Sequence, residues 1–175
     1  MDVLIILPPI GFLDEEVTVS LEIFDESNVS YEIATAERGY CKGISGMIVQ
    51  PDKIFEEVSA THYTVLLVIG GAGSRELWGN ERLLSLVKDA QAHGNILAGV
   101  NSGVGVLAKA GILDGKKATT TASPQELDLL NSTGALYVQK PVVVDDHIVT
   151  CEGPQAMLDF MVELLDLMGI EWYTI

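Results

Sequence analysis

The stretch Gly99-Val100-Asn101-Ser102-Gly103 decides how this chain is read. It lies between an apolar run, Asn95-Ile96-Leu97-Ala98, and a helical segment from Val104 to Ala110. Glycines two before and two after a central residue have the spacing of a nucleophile elbow, a strand-to-helix turn too tight for larger flanking side chains. Such a turn drives its central residue toward positive φ and out into a pocket. The central residue here is Asn101, one of the few side chains that tolerate the left-handed region. Chemically it is a carboxamide. Its nitrogen lone pair is delocalised into the carbonyl, so it hydrogen-bonds and does not attack. Ser102 carries a hydroxyl, but taking it as the centre puts Val100 and Val104 in the flanking positions and loses the glycine pattern.

The rest of the composition bounds the class. A length of 175 residues fits one domain, 1–175, with a sizeable core. The net charge of −15, from 10 basic and 25 acidic residues, repels phosphate backbones and anionic lipid, so neither nucleic acid nor a membrane is expected as a partner. No apolar run approaches the roughly 18 residues of a membrane span. Met1-Asp2-Val3-Leu4-Ile5-Ile6-Leu7 lacks a basic leader and is cut short by Pro8-Pro9, so it reads as a buried first strand and not a secretory signal. A cytoplasmic location is the expectation. High apolar content beside high charge predicts apolar area buried between subunits, hence a homo-oligomer, dimer or higher. Cys41 and Cys151 make no disulfide framework, and His62, His93 and His147 have no metal-ligand spacing. No metal and no cofactor are expected. Cys41, in a glycine-rich loop, reads as passive, with an exposed oxidisable thiol as the alternative.

Strand and helix patterns alternate along the chain. Strand signals fall at Asp2–Leu7, Ser30–Ala34, Tyr63–Ile69 and Asn95–Ala98. Helical periodicity runs from Asp14, a candidate N-cap, to Glu26, and from Glu81 to His93, where Gly94 stops it. Pro124–Leu130 opens a helix with Ser123 as N-cap, and Pro154–Met168 is amphipathic. Gly39–Gln50 reads as a hairpin or irregular excursion, and Ile54–Val58 as a short helix at best. Val142–Val144 and Ile148–Thr150 flank Asp145-Asp146 as a hairpin. Buried strands alternating with amphipathic helices predict an α/β fold, a mainly parallel sheet covered on both faces, with ligands bound at the carboxyl ends of its strands. The loops after Leu7, Ile69 and Ala98 would meet there.

Gly103-Val104-Gly105-Val106-Leu107-Ala108 also matches the G-x-G-x-x-A dinucleotide pattern, but no acidic residue ends a following strand at the required distance. Small residues for helix–sheet contact are the plainer reading. Trp78 reads as packing in a core or interface, with a pocket wall as the alternative. His147 reads as a solvent-facing hairpin tip, and Glu152 as a solvated charge within possible reach of the strand ends.

Several segments together resemble the ThiJ/PfpI superfamily. Ile33-Ala34-Thr35-Ala36-Glu37-Arg38-Gly39 is similar to the close of the second strand in PfpI-type members. Gly70-Gly71, followed by Leu77 and Asn80, matches its glycine-glycine loop, although a proline usual before the pair is Ile69 here. Ala108-Lys109-Ala110-Gly111-Ile112-Leu113-Asp114-Gly115-Lys116-Lys117-Ala118-Thr119 is the most specific match, and Val143-Val144-Asp145, Val149-Thr150 and Gly153-Pro154 fit the closing hairpin and last helix. The superfamily includes intracellular proteases, glyoxalases and the Parkinson-disease protein deglycase, and is related to class I glutamine amidotransferases. The resemblance implies a flavodoxin-like three-layer α/β/α sandwich.

It also implies the site. Counting back from Gly111 places the family's elbow cysteine at Asn101, and the residue after it at Ser102. The family's first-helix carboxylate falls on Glu16, which spacing alone would make an exposed first-turn glutamate complementing the helix dipole. Backbone N–H groups of Gly71 and Ser102 would form the oxyanion hole, with Gly70, Ala72 and Gly103 lining the substrate space. An imidazole near the cysteine in several members has no match, since Thr120-Thr121-Ala122 follow Thr119. A pseudoenzyme is thus expected, binding a small carbonyl or carboxylate ligand or serving as an oligomeric, stress-related interaction protein. The alternative is a hydrolase, glyoxalase or hydratase using Glu16 as general acid/base. Asn101 is expected to donate to Glu16, whose carboxyl would rise in pKa by desolvation.

Overall fold

A computed structural model describes residues 1–172. In chain order the elements are β1 (Val3–Ile6), β2 (Ile10–Phe12), α1 (Asp14–Glu26), β3 (Tyr31–Thr35), β4 (Cys41–Gly43), β5 (Ile48–Val49), β6 (Lys53–Ile54) and β7 (Val65–Val68). There follow α2 (Glu81–Ala92), β8 (Ile96–Val100), α3 (Val104–Lys109), β9 (Lys117–Ala118), α4 (Pro124–Ser132), β10 (Leu136–Tyr137), β11 (Val142–Asp145), β12 (Ile148–Cys151) and α5 (Met157–Leu167).

The main sheet has seven strands in the order β11-β12-β8-β7-β1-β3-β6. All its neighbours pair in parallel except β11, which runs antiparallel to β12. The continuous apolar runs follow from this: the central strands are buried on both faces, so neither alternate set of side chains can be polar. Leu4, Ile6, Leu66, Val68 and Leu97 pack with residues of α2, α3 and α4 on one face. Val3, Ile5, Val65, Leu67, Ile96 and Ala98 pack with α1 and α5 on the other. The result is the mainly parallel sheet covered on both faces that the alternation of strands and helices predicts, an α/β/α sandwich as the resemblance implies.

The excursion at Gly39–Gln50 is a hairpin. β4 and β5 pair antiparallel, and β2 joins them in a small second sheet. The segment at 54–58 holds only a 3-10 turn, Phe55–Glu57. One capping expectation fails and another holds in position. Asp14 lies inside α1, behind Leu13 as N-cap, because its carboxylate accepts from the Ser45 and Met47 N–H groups and so ties the hairpin to the helix. Ser123 is the N-cap residue of α4 with Pro124 at its first position, as expected, though its hydroxyl accepts from Arg75 and makes no cap hydrogen bond.

The Gly103-x-Gly105 spacing is explained by contact. A Cβ at Gly103 would lie 2.4 Å from the Val68 carbonyl oxygen, and one at Gly105 would lie 2.2 Å from the Trp78 indole nitrogen. Trp78 is half-buried over α3 and donates to the Ser102 carbonyl at 2.9 Å. Packing of α3 therefore requires both glycines. Gly105→Ala is expected to displace the indole and destabilise the fold by about 1–3 kcal/mol, read as a lowered midpoint in urea unfolding with an unchanged slope.

Candidate active site at the elbow

The site forms where three loops leave the sheet at the carboxyl ends of β1, β7 and β8. Asn101 has φ +54°, the left-handed conformation that the flanking glycines demand. The turn fits because residue 70 has no side chain: a Cβ there would lie 2.4 Å from the Val100 carbonyl oxygen and 2.5 Å from the Asn101 Cβ. Gly71 has φ +117°, and a Cβ there would lie 2.4 Å from the Gly11 carbonyl oxygen. The glycine pair thus lets the three loops touch.

Glu16 is fully buried, which removes the exposed alternative for this residue. Its Oε1 accepts from the Gly70 N–H at 2.8 Å, and its Oε2 has no hydrogen-bond partner. Burial pushes its carboxyl up to about 8; the Gly70 N–H pulls the other way and Glu15 adds to the rise. The same Oε1 lies 3.0 Å from the Cβ position of Gly70, so the carboxyl and the Asn101 side chain flank one glycine.

The expected Asn101–Glu16 hydrogen bond is not formed. The Asn101 Oδ1 instead accepts from the Ser102 N–H at 2.7 Å. That bond fixes which end of the amide is which, since a reversed amide would oppose two donors. Of the two N–H groups expected in the oxyanion hole, that of Ser102 thus rests on the neighbouring side chain. The Gly71 N–H donates to no atom of the described residues.

A second cluster holds the turn from behind, and sequence reasoning missed it. Glu126 is fully buried on α4. Arg75 grips it with two bonds, Nε to Oε1 at 2.7 Å and Nη2 to Oε2 at 3.1 Å. The Ser102 hydroxyl, itself buried, lies 3.0 Å from Glu126 Oε1 and 3.1 Å from Asn101 Oδ1. One hydroxyl proton cannot serve both, and the charged acceptor takes it. Burial raises the Glu126 carboxyl, but hydrogen bonds from Arg75, Ser102 and Ser123 outweigh it and hold the group below its usual range. Ser102 is therefore a structural hydroxyl bound to a poor base. Thr120 completes the clamp by donating to the Asn101 carbonyl at 2.7 Å. In the sequence, Ser123-Pro124-Gln125-Glu126 has capping-box spacing, which hides the glutamate's role as an ordinary helix start.

The cysteines take the passive reading. Both are fully buried, and burial pushes the Cys41 thiol up and the Cys151 thiol up to about 12. Cys151 pairs with Val100 beside the elbow and its thiol lies 3.3 Å from the Gly153 carbonyl oxygen. His147 is exposed at the hairpin tip. Among the described residues there is no group of three or more His, Cys, Asp or Glu that could hold a metal ion.

Comparison with known proteins agrees with this geometry. The family model described as DJ-1/PfpI matches residues 1–167. The chain belongs to the DJ-1/PfpI family. A protein of Thermococcus kodakarensis named a deglycase is 29% identical over 164 residues, 94% of this chain and 98% of its own. An isonitrile hydratase of Pseudomonas putida is 34% identical over 128 residues, 73% of this chain but 54% of its own. The crystal structure of a ThiJ/PfpI domain protein from Brachyspira murdochii superposes with a TM-score of 0.92 at 27% identity, covering 96% of each chain. The DJ-1/PfpI fold brings Glu16, Gly70, Gly71, Asn101 and Ser102 to one place; Gly103 serves packing beneath it, and Ala72 begins the 3-10 segment after the glycine pair.

The raised Glu16 carboxyl has a stability consequence with a definite sign. The unfolded chain releases this proton near pH 4.5 and the folded chain holds it to about 8. Stability from the neutral carboxyl is complete below pH 4.5, falls as pH rises between these values, and levels above about 8. Glu16→Gln is expected to remove that slope. Denaturant unfolding across pH 4–9 should show the variant equal to the parent in acid and more stable, by a few kcal/mol at most, above pH 8.

Proposed function

We propose that this DJ-1/PfpI member binds a small carbonyl or carboxylate ligand at the Glu16–Asn101 site without thiol chemistry, as a pseudoenzyme of its family. Asn101 stands where thiol-dependent relatives carry their nucleophile. The observation that carries the reading is the Asn101 amide itself: it holds the tip of the elbow, offers no nucleophilic atom, and spends its oxygen on the Ser102 N–H. The acid surface, net −15, argues against a nucleic-acid or anionic-membrane partner. No described helix is long and apolar enough to cross a membrane, and a cytoplasmic setting is part of the proposal. So is self-association. Ile10 and Ile48, 73% and 58% exposed, both pair with Lys42 across the small second sheet and place apolar area on one face.

A second reading has its own observation. Glu16 Oε2 is buried and unpartnered, and burial raises the carboxyl to about 8, which suits a general acid/base. The deglycase and isonitrile hydratase names of relatives lend that reading a reaction class, addition of water or hydrolysis.

Assays with methylglyoxal and peptide-amide substrates separate the two. The proposal expects no turnover in the parent protein or in Glu16→Gln. Turnover in the parent that vanishes in Glu16→Gln would establish acid/base catalysis instead. Asn101→Cys is expected to bring glyoxalase or esterase activity into view, because loss of a covalent nucleophile costs on the order of 10⁶ in turnover.

A further inference from the structure

We infer that Gly153 sets ligand specificity beside the elbow: the space left by its missing side chain, between the Asn101 amide nitrogen and the Gln155 amide oxygen, receives an uncharged carboxamide or urea-type group. This rests on the ligand-binding reading above and deepens it.

Neither backbone conformation nor packing asks for a glycine at position 153. The residue is buried, and its φ of +163° is extended backbone that any residue adopts. A Cβ there would meet nothing closer than 3.4 Å, an ordinary van der Waals contact. Gly70, Gly71, Gly103 and Gly105 differ, because a Cβ at each would lie 2.2 to 2.4 Å from another atom. Two atoms from beyond the immediate neighbours of Gly153 come within 4 Å of its Cβ position. They are Asn101 Nδ2 at 3.4 Å and Gln155 Oε1 at 3.6 Å.

Both of these atoms are unspent. The Asn101 oxygen is fixed on the Ser102 N–H at 2.7 Å, which settles that the nitrogen faces Gly153. That nitrogen donates to no described atom and is open to solvent. Gln155 is exposed, and its amide bonds to no described residue. The gap thus has a donor on one side and an acceptor on the other. A carboxamide carries the complementary pair on one carbon: its oxygen accepts from Asn101 Nδ2 and its N–H donates to Gln155 Oε1.

Charge narrows the choice. Glu16 and Glu152 both raise the Cys151 thiol, which lies 3.3 Å from the Gly153 carbonyl oxygen, so acids surround the gap. The guanidinium behind the turn, Arg75, has Nε and Nη2 committed to Glu126. A carboxylate would enter beside these acids, and its second oxygen would oppose the Gln155 oxygen. A ketone pairs with Asn101 and leaves Gln155 to water. An amide satisfies both sides.

Acetamide, acetate and acetone test this, being nearly isosteric while differing in charge and in donor character. Each is titrated into ¹⁵N-labelled protein, and the side-chain amide signals of Asn101 and Gln155 are followed. Acetamide is expected to shift both signals saturably, binding about tenfold more tightly than acetate and several-fold more tightly than acetone. Gly153→Ala is expected to weaken acetamide binding about tenfold while keeping the parent's backbone amide spectrum and urea midpoint, because the added methyl fits the fold and fills the gap. Gln155→Ala is expected to reduce acetamide to the affinity of acetone. Unchanged acetamide binding in Gly153→Ala overturns the inference and leaves the ligand-binding reading standing. So does acetate binding more tightly than acetamide, or an acetamide preference that survives Gln155→Ala. Loss of folding in Gly153→Ala also overturns it, since packing and not the ligand would then select the glycine. Absence of a response to all three probes overturns the ligand-binding reading together with the inference.

Discussion

The backbone conformation of Asn101 is the constraint on which the site depends. A non-glycine residue at φ +54° persists only where its surroundings leave no alternative. Gly70 provides the space, since any side chain there would strike Val100 and Asn101. Thr120 and Trp78 hold the two carbonyls of the turn, and the Ser102 hydroxyl is pinned by a buried glutamate that an arginine neutralises. Four elements of the fold thus converge on two residues. The sheet order places the loops; these contacts fix the angle.

Two carboxylates near this turn behave in opposite ways, and environment alone separates them. Glu16 and Glu126 are both fully buried. Glu126 meets a guanidinium and two hydroxyls and remains ionised. Glu16 meets a single backbone N–H and keeps its proton to about pH 8. The first is a fixture that sets geometry. The second is a polar group with an unmet requirement, and such groups mark sites built for exchange of partners.

The fold was legible because its signals are local and redundant. Continuous apolar strands, amphipathic helices and glycine stops fix a parallel sheet before any packing is known, and the glycine spacing around Asn101 announces positive φ. The burial of Glu16 was legible only through the family resemblance, since a first-turn glutamate is by itself an ordinary dipole partner. What lay beyond reach was competition between hydrogen-bond partners. An asparagine can donate to Glu16 or accept from Ser102, and in the folded chain it accepts. Arg75 and Glu126 are 51 residues apart in the chain, and each looks ordinary in its own segment. Asp14 misled for a similar reason: tertiary donors claimed carboxylate oxygens that local rules assign to a helix end.

Hydrogen exchange at the Ser102 backbone amide tests the central claim most directly. If the Asn101 oxygen occupies that donor, the Ser102 amide is protected in the parent protein and loses much of its protection in Asn101→Gly, while neighbouring amides of α3 exchange as before. Equal exchange at Ser102 in the two proteins would contradict the account.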